Sequence, residues 1–202
     1  MADLVTLQQY KDFAGLQSLK NDARINIVID QVSQLVKSYC GTTIIDYAST
    51  NKTEYFNIGQ GVDRVILEES PLLQVVSVEE RTSQADAYVT LITENSDSSG
   101  KYEYIIDTMT DSIVRTSSTG EKAFKKGFKA VEVIYRAGYS ATPDDLKLAV
   151  FDLIKYYLKD ERKASMTVSG AQVRNEVSTT LRENIGFPDH IKRILDFYKV
   201  HK

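Results

Sequence analysis

The chain has 202 residues, 42% of them hydrophobic, enough for one ordinary domain or a domain with a sizeable insertion, and for a core that needs no covalent staples. Its 25 Lys and Arg stand against 28 Asp and Glu, a net charge of −3 that speaks against a protein built to grip phosphate backbones, and one cysteine excludes a disulfide framework or a multi-cysteine metal site. No basic segment precedes an apolar run near the start, and no apolar run approaches the roughly 20 residues that span a bilayer, so a soluble protein made in a cytoplasm, with no membrane partner, is expected.

Residues 1–41 carry helical periodicity. Thr6, followed three residues later by Gln9, has the form of a capping box, and Gly15 stops a short first helix. Asn21 or Asp22 starts a longer one, in which Ile25, Val28, Ile29, Val32, Leu35, Val36 and Tyr39 form one apolar stripe at spacings of three and four, ended by Gly41. Cys40 follows that stripe and reads as a small core residue. A thiol nucleophile would need an imidazole partner, and His190 and His201, the only histidines, stand near the far end of the chain.

From 42 to 136, short alternating or apolar runs are separated by Gly, Ser, Asn and Asp, the pattern of a β-rich region. It predicts strands over 53–57, 64–67, 74–80, 88–93, 102–107, 112–116 and 130–136, with turns at 59–61, Pro71, 95–100 and 117–120. The stretch Asn95-Ser-Asp97-Ser-Ser99-Gly100 spaces oxygen-bearing side chains as a calcium loop does, but Ile106 stands where the closing glutamate would, so a hairpin tip is the better reading. Lys122, Lys125, Lys126 and Lys129 interleave with Phe124 and Phe128. Such a run could track a nucleic-acid backbone while stacking bases; with Gly120 and Gly127 in it and a strand after it, a solvated connection anchored by two aromatics is the stronger reading.

The hydrophobic period changes within 131–150. Val131, Val133 and Tyr135 alternate with Glu132, Ile134 and Arg136 as a strand does, whereas Leu146, Ala149, Val150, Leu153, Ile154 and Tyr157 recur at helical spacing. Thr142 suits an N-cap, Pro143 the first helical position, and Asp144 and Asp145 the positive helix end; this third helix is expected to end near Lys163. If Tyr157 continues the core stripe, Tyr156, about 100° away, faces either a subunit interface or the protein's own β region. Residues 164–186 scatter isolated apolar residues among Ser, Thr, Asn and Gly and read as a loop too polar for a core element. Pro188 then opens a final helix with Phe187 as its staple, Ile191, Ile194, Leu195 and Tyr198 along one side, and Lys192, Arg193 and Lys199 elsewhere. From about Ala164 onward the chain reads as a docking arm for a partner groove; the competing reading is that its helix completes the helical core of its own subunit.

The expected fold class is α+β, a helical layer formed by the N- and C-terminal helices with a β-rich insertion between the second and third helices, divided as 1–41, 42–136, 137–163 and 164–202. The adjacent carboxylates Glu68-Glu69, Glu79-Glu80 and Asp144-Asp145 do not make an acid–base pair by adjacency, since neighbours on a strand point to opposite faces. No phosphate-binding glycine loop, His-Glu-x-x-His or nucleophile elbow occurs. No catalytic residue, metal or cofactor is expected.

Three segments carry a family resemblance. They are Leu4-Val-Thr6-Leu-Gln-Gln-Tyr10 with the helix ending Lys37-Ser-Tyr39-Cys40-Gly41; Tyr135-Arg-Ala-Gly138-Tyr139 followed by Pro143-Asp-Asp-Leu146-Lys147 and the pair Tyr156-Tyr157; and Phe187-Pro188-Asp-His-Ile191-Lys-Arg-Ile194-Leu195-Asp-Phe-Tyr198. Together they resemble the head–tail connector (adaptor, or head completion) family of tailed bacteriophages, at both ends of the chain and at the junction, on packing and capping motifs. The resemblance implies a structural virion protein of the head–tail interface, assembled in the host cytoplasm into a homo-oligomeric ring of about twelve subunits, a dodecamer. That ring would sit below the portal protein and extend the channel that genomic dsDNA traverses in packaging and ejection without specific binding. Terminal segments would dock on the portal and β-region loops would face the next neck or tail protein. Partner contacts are then expected at Tyr156, Phe187, Ile191, Lys192, Arg193, Ile194, Leu195 and Tyr198, and DNA-facing charge at Lys122, Lys125, Lys126 and Lys129. Another phage neck or tail-completion protein is the alternative, and an enzyme of unrecognised type a third.

Overall fold

The computed structural model describes residues 2–93, 102–117, 120–158 and 187–200, with 121, 166–168 and 171–173 described by backbone alone. Among the described residues the fold is mixed α+β, with four helices and two larger antiparallel sheets. The chain divides into two compact units, one of Met1–Thr42 with Ala141–Lys202 and the other of Thr43–Ser140.

In the first unit, α1 (Leu7–Ala14) begins with the expected capping box: the Thr6 hydroxyl accepts the Gln9 N–H at 3.2 Å and the Gln9 side chain accepts the Thr6 N–H at 2.8 Å. Such a cap contributes about 1 kcal/mol. Helix α2 (Asp22–Cys40) buries Ile25, Ile29, Val32, Val36 and Cys40, leaving Val28, Leu35 and Tyr39 at the half-buried margin of the stripe. Asn21 precedes it without a side-chain cap bond, and Asp22 pairs with Lys11 of α1 at 3.0 Å, where its charge also complements the helix start. Helix α3 (Asp144–Leu158) buries Leu146, Ala149, Val150, Leu153 and Ile154. Phe151 of α3 stacks on Phe13 of α1 at 4.8 Å between ring centroids. Thr142 does not serve as the expected cap: its hydroxyl donates to the Leu4 carbonyl at 2.6 Å, tying the entry of α3 to the N-terminal segment. Residues 159–163, where α3 was expected to end, lie outside the described residues.

Helix α4 (Asp189–Asp196) has the packing of the second of the two readings of the C-terminal segment, a helix that completes its own core. Its apolar side faces its own unit, with Ile191 and Leu195 fully buried and Phe187, just before it, edge-on against Tyr39 of α2 at 5.3 Å. Three polar ties fasten it: Tyr198 donates to Asp145 at the start of α3 (2.6 Å), Tyr39 donates to Asp196 (2.5 Å), and the Val200 N–H donates to the Cys40 carbonyl (2.9 Å). The stretch read as a loop too polar for a core element holds a correction, because β9 (Met166–Val168) and β10 (Ala171–Val173) pair antiparallel. Backbone ladders need no apolar density, so a polar composition did not preclude this one.

The second unit contains both larger sheets. One runs in the order β1 (Lys52–Ile58), β8 (Gly127–Ala137), β3 (Leu72–Glu80), β4 (Val89–Thr90). The other runs β2 (Arg64–Ile66), β6 (Ser112–Ser117), β5 (Tyr104–Asp107), with β7 (Gly120–Glu121) on β6. On β8, Val131, Val133 and Tyr135 are buried and Glu132, Ile134 and Arg136 are half-buried, as the alternation predicts. The strand predicted over 88–93 is only two residues long: the Leu91 N–H still donates to the Val78 carbonyl, but the Ile92 N–H is taken by the Glu103 side chain. Gly120, read as the end of the turn over 117–120, already belongs to β7.

The unexpected core residue is Arg115, 1% exposed on β6. Its guanidinium bonds Glu80 of β3 at 3.0 Å and the Glu103 and Thr116 carbonyls, joining the two sheets through charge, while its Nε has no partner. Buried ion pairs fix geometry more reliably than they add stability, since desolvation offsets most of the attraction.

Candidate contact surfaces

The clusters that could pass for an active centre are structural. Cys40 is fully buried, with its Sγ 3.7 Å from the Leu195 carbonyl, and burial pushes its thiol up to about 12. His190 is exposed on α4, and His201 lies outside the described residues. Glu68 and Glu69 do converge, contrary to expectation, because residues 67–70 belong to no strand: with Glu54 they surround the Lys52 ammonium at 2.9, 3.1 and 3.0 Å. Burial works against the charge on Lys52, but the hydrogen bonds its ammonium donates to Glu68, Glu54 and Glu69 outweigh it and hold the pKa above its ordinary value. The rest of the network is closed, with Tyr135 donating to Glu54 at 2.7 Å and Glu69 accepting the Thr43 N–H at 2.8 Å. Among the described residues, no group of three or more His, Cys, Asp or Glu is placed to hold a metal ion. The loop Asn95–Gly100 lies outside them.

The thiol and its neighbour predict a pH response. Burial first, then the hydrogen bond to Asp196, pushes the Tyr39 phenol up to about 12 as well. In the unfolded chain the two groups ionise near about 8.5 and about 10. Their folded values are raised, so the stability they contribute is intact below those unfolded values and is lost as pH rises toward about 12. Thermal melts should therefore show stability declining from about pH 9 upward, less steeply for Tyr39→Phe, and Cys40 should resist aromatic disulfide reagents at pH 8 until the protein unfolds. Rapid labelling of the native protein would contradict the buried thiol.

The expected contact residues fall into two sets. Phe187, Ile191 and Leu195 are interior, and Tyr198 donates to Asp145 within the same unit. Arg193 is exposed on the outward side of α4, and Lys192 and Ile194 are half-buried at the two margins of that side. Phe197, not singled out in the sequence, is 85% exposed in the turn after it. Tyr156 is half-buried, its ring T-shaped against Tyr157 at 5.5 Å.

Lys122, Lys125, Lys126 and Lys129 are all exposed. The aromatics between them separate: Phe124 is buried in the β core and anchors the segment, while Phe128 is exposed. Lys125 is held near the sheet, its N–H donating to Glu80 at 3.4 Å and its ammonium 3.7 Å from the same carboxylate.

Comparison with known proteins adds a family and a fold. Residues 3–201 match the family model of the head completion protein, HCP. No curated protein matches the chain. Among solved structures, the chain is similar to one in the neck of an empty gene transfer agent particle computed with C6 symmetry, at 13% identity and a TM-score of 0.59, covering 98% of this chain and 91% of that one. It is similar to one in the neck of the native particle computed with C12 symmetry, at 12% identity and a TM-score of 0.56, covering 100% and 95%. A chain from the virion of the native gene transfer agent particle gives 13% identity and a TM-score of 0.58 over 98% and 91%. At such identities the likeness is one of fold.

Proposed function

The chain belongs to the head completion protein family and is a structural, non-enzymatic protein, and from that premise we propose that it is a head–tail connector subunit, forming a ring below a portal, extending the DNA channel and joining head to tail. The family match over nearly the whole length carries this reading. Likeness in fold to chains from particle necks computed with C6 and C12 symmetry supports a closed ring, since closure is the usual fate of head-to-tail interfaces; a dodecamer fits. The four helices form a single layer in this reading, supported by the ties of α4 to both α2 and α3. Partner contact then falls to the outward side of α4, at Lys192, Arg193 and Ile194, and to Tyr156. The host cytoplasm is the site of assembly and the virion neck the destination.

A ring that closes only in place should be loose in isolation. Mass photometry of the purified protein is expected to show monomer or weak oligomer, and a stable ring after addition of portal. An obligate dimer that portal does not convert would defeat the proposal.

A further inference from the structure

The unit Thr43–Ser140 is acidic, with ten Lys and Arg against fifteen Asp and Glu. Half of those ten cations are nonetheless gathered in one place: Lys122, Lys125, Lys126 and Lys129 lie within eight residues, and Arg81 is clamped to Lys129. Charge segregated in this way on an acidic body points to a local anionic partner.

The backbone there is built to present it. Between the register pairs Phe56–Val131 and Ile58–Gly127, β1 supplies one residue and β8 three, so β8 bulges. Lys129 adopts a φ of 48°, a left-handed conformation that costs a lysine about 1–2 kcal/mol. It is held from three sides: its N–H donates to Asn57 at 2.8 Å, and its carbonyl accepts from the Tyr88 hydroxyl at 2.7 Å and from Arg81 Nε at 3.1 Å. Strain over-determined by its neighbours marks a position with a role. The bulge lifts Phe128 and Lys129 off the sheet, and Phe128 is 58% exposed.

Rings then fix the cations. The Lys129 ammonium stands 5.2 Å from the Tyr55 ring centroid and 6.0 Å from that of Phe128, and the Arg81 guanidinium stands 4.6 Å over Tyr88. Tyr88 and Tyr55 are themselves 6.3 Å apart. Of the acids beside this stack, Glu80 is paired with Arg115 and Lys125, while Glu132 and Glu79 accept from the neutral hydroxyls of Tyr55 and Thr90 and keep their charge, which holds any anion binding here weak. Among the described residues neither Lys129 nor Arg81 makes an ion pair.

We propose that this bulge contacts the phosphate backbone of double-stranded DNA, with Lys129 and Arg81 as pre-set cations, Lys122 and Lys126 as loose ones around them, and Lys125 shared with Glu80. The contact deepens the connector reading and rests on it for the presence of DNA. It is blind to sequence, because a bulge carrying ammonium groups on a sheet reads no base edges. It is also weak, a sliding surface whose affinity falls with salt by a log–log slope of about 0.9 per phosphate neutralised.

The test is fluorescence anisotropy of the full chain with a labelled duplex of about 20 base pairs, titrated at roughly 0.03 M and 0.15 M salt. Weak binding that salt suppresses is expected, equal for unrelated sequences. Lys125→Gln with Lys126→Gln should weaken it several-fold. Adding Lys129→Asn should take the loss beyond about tenfold and lower the salt slope by about one unit per contact removed, without loss of thermal stability, since asparagine suits the left-handed conformation. Lys155→Gln on α3 is the control and should change nothing. The proposal is overturned by absence of binding at low salt, by an equal loss in the control, by tighter binding of an unpaired strand that Phe128→Ala abolishes, or by equal binding of polyglutamate. A protein that still assembles on portals while showing no duplex binding loses this contact and keeps the connector function.

Discussion

A chain ending at Lys163 should lose the cooperative unfolding transition of the unit built from Met1–Thr42 and Ala141–Lys202. The deletion removes Phe187, Ile191 and Leu195, which are 3%, 1% and 0% exposed. Full burial of each such side chain is worth about 1.5–3 kcal/mol, and a whole domain is stable by only about 5–15 kcal/mol. It also removes the acceptor of Tyr39 and the donor to Asp145, and it uncovers Cys40 beneath Leu195. Calorimetry should show a broadened or missing transition, with Cys40 labelled rapidly in the shortened chain. Leu195→Ala, which keeps the full length, should cost about 2–5 kcal/mol in denaturant titrations. If the shortened chain melts as sharply as the full one with its thiol protected, α4 is an appendage and the docking-arm reading returns.

The choice between docking arm and core helix turns on a signal the sequence does not hold. An amphipathic helix presents the same stripe whether it fills a partner's groove or its own domain's core, and only the long-range ties to Tyr39, Cys40 and Asp145 decide. Features whose causes are local were legible: the Thr6–Gln9 box, the glycine stops and the stripe of α2 all stand where the spacing puts them. The alternation of β8 was legible for the same reason, because one face of a sheet must be buried.

Other features were closed to sequence reading in specific ways. Arg115 shares the inner face of β6 with Ile113, and nothing within the strand announces that Glu80, 35 positions away, makes a buried cation tolerable there. The Lys129 bulge was hidden because lysine is not a residue that signals positive φ, and its three clamps come from Asn57, Tyr88 and Arg81. The lysine run itself was visible, but the division of labour between its two phenylalanines was not: Phe124 is buried in the β core, where its N–H donates to the Val62 carbonyl, and Phe128 is exposed at the bulge.

Gly138→Ala is expected to destabilise the unit Thr43–Ser140 by about 2–5 kcal/mol, combining about 1–2 kcal/mol for a β-carbon at positive φ with about 1–3 kcal/mol of overpacking. Gly138 has a φ of 95°, and a β-carbon there would lie 2.3 Å from the Ile44 carbonyl oxygen and 3.1 Å from its carbon. Backbone atoms yield less readily than a side-chain tip. Ile44 is buried, its carbonyl already accepts the Tyr139 N–H at 2.7 Å, and Gly138 itself donates to the Pro71 carbonyl at 2.8 Å, so any retreat breaks hydrogen bonds at the end of β8. Gly15→Ala separates the two causes, since Gly15 also has positive φ but a β-carbon there meets nothing within 4 Å; it should cost only the conformational part, about 1–2 kcal/mol. Gly138→Asn should be nearly as harmful as alanine, because asparagine tolerates positive φ yet carries the same clashing β-carbon. Urea titrations of the three variants decide it: if Gly138→Ala costs no more than Gly15→Ala, or Gly138→Asn restores stability, the close approach to Ile44 is not what requires glycine in the Tyr135-Arg-Ala-Gly138-Tyr139 junction.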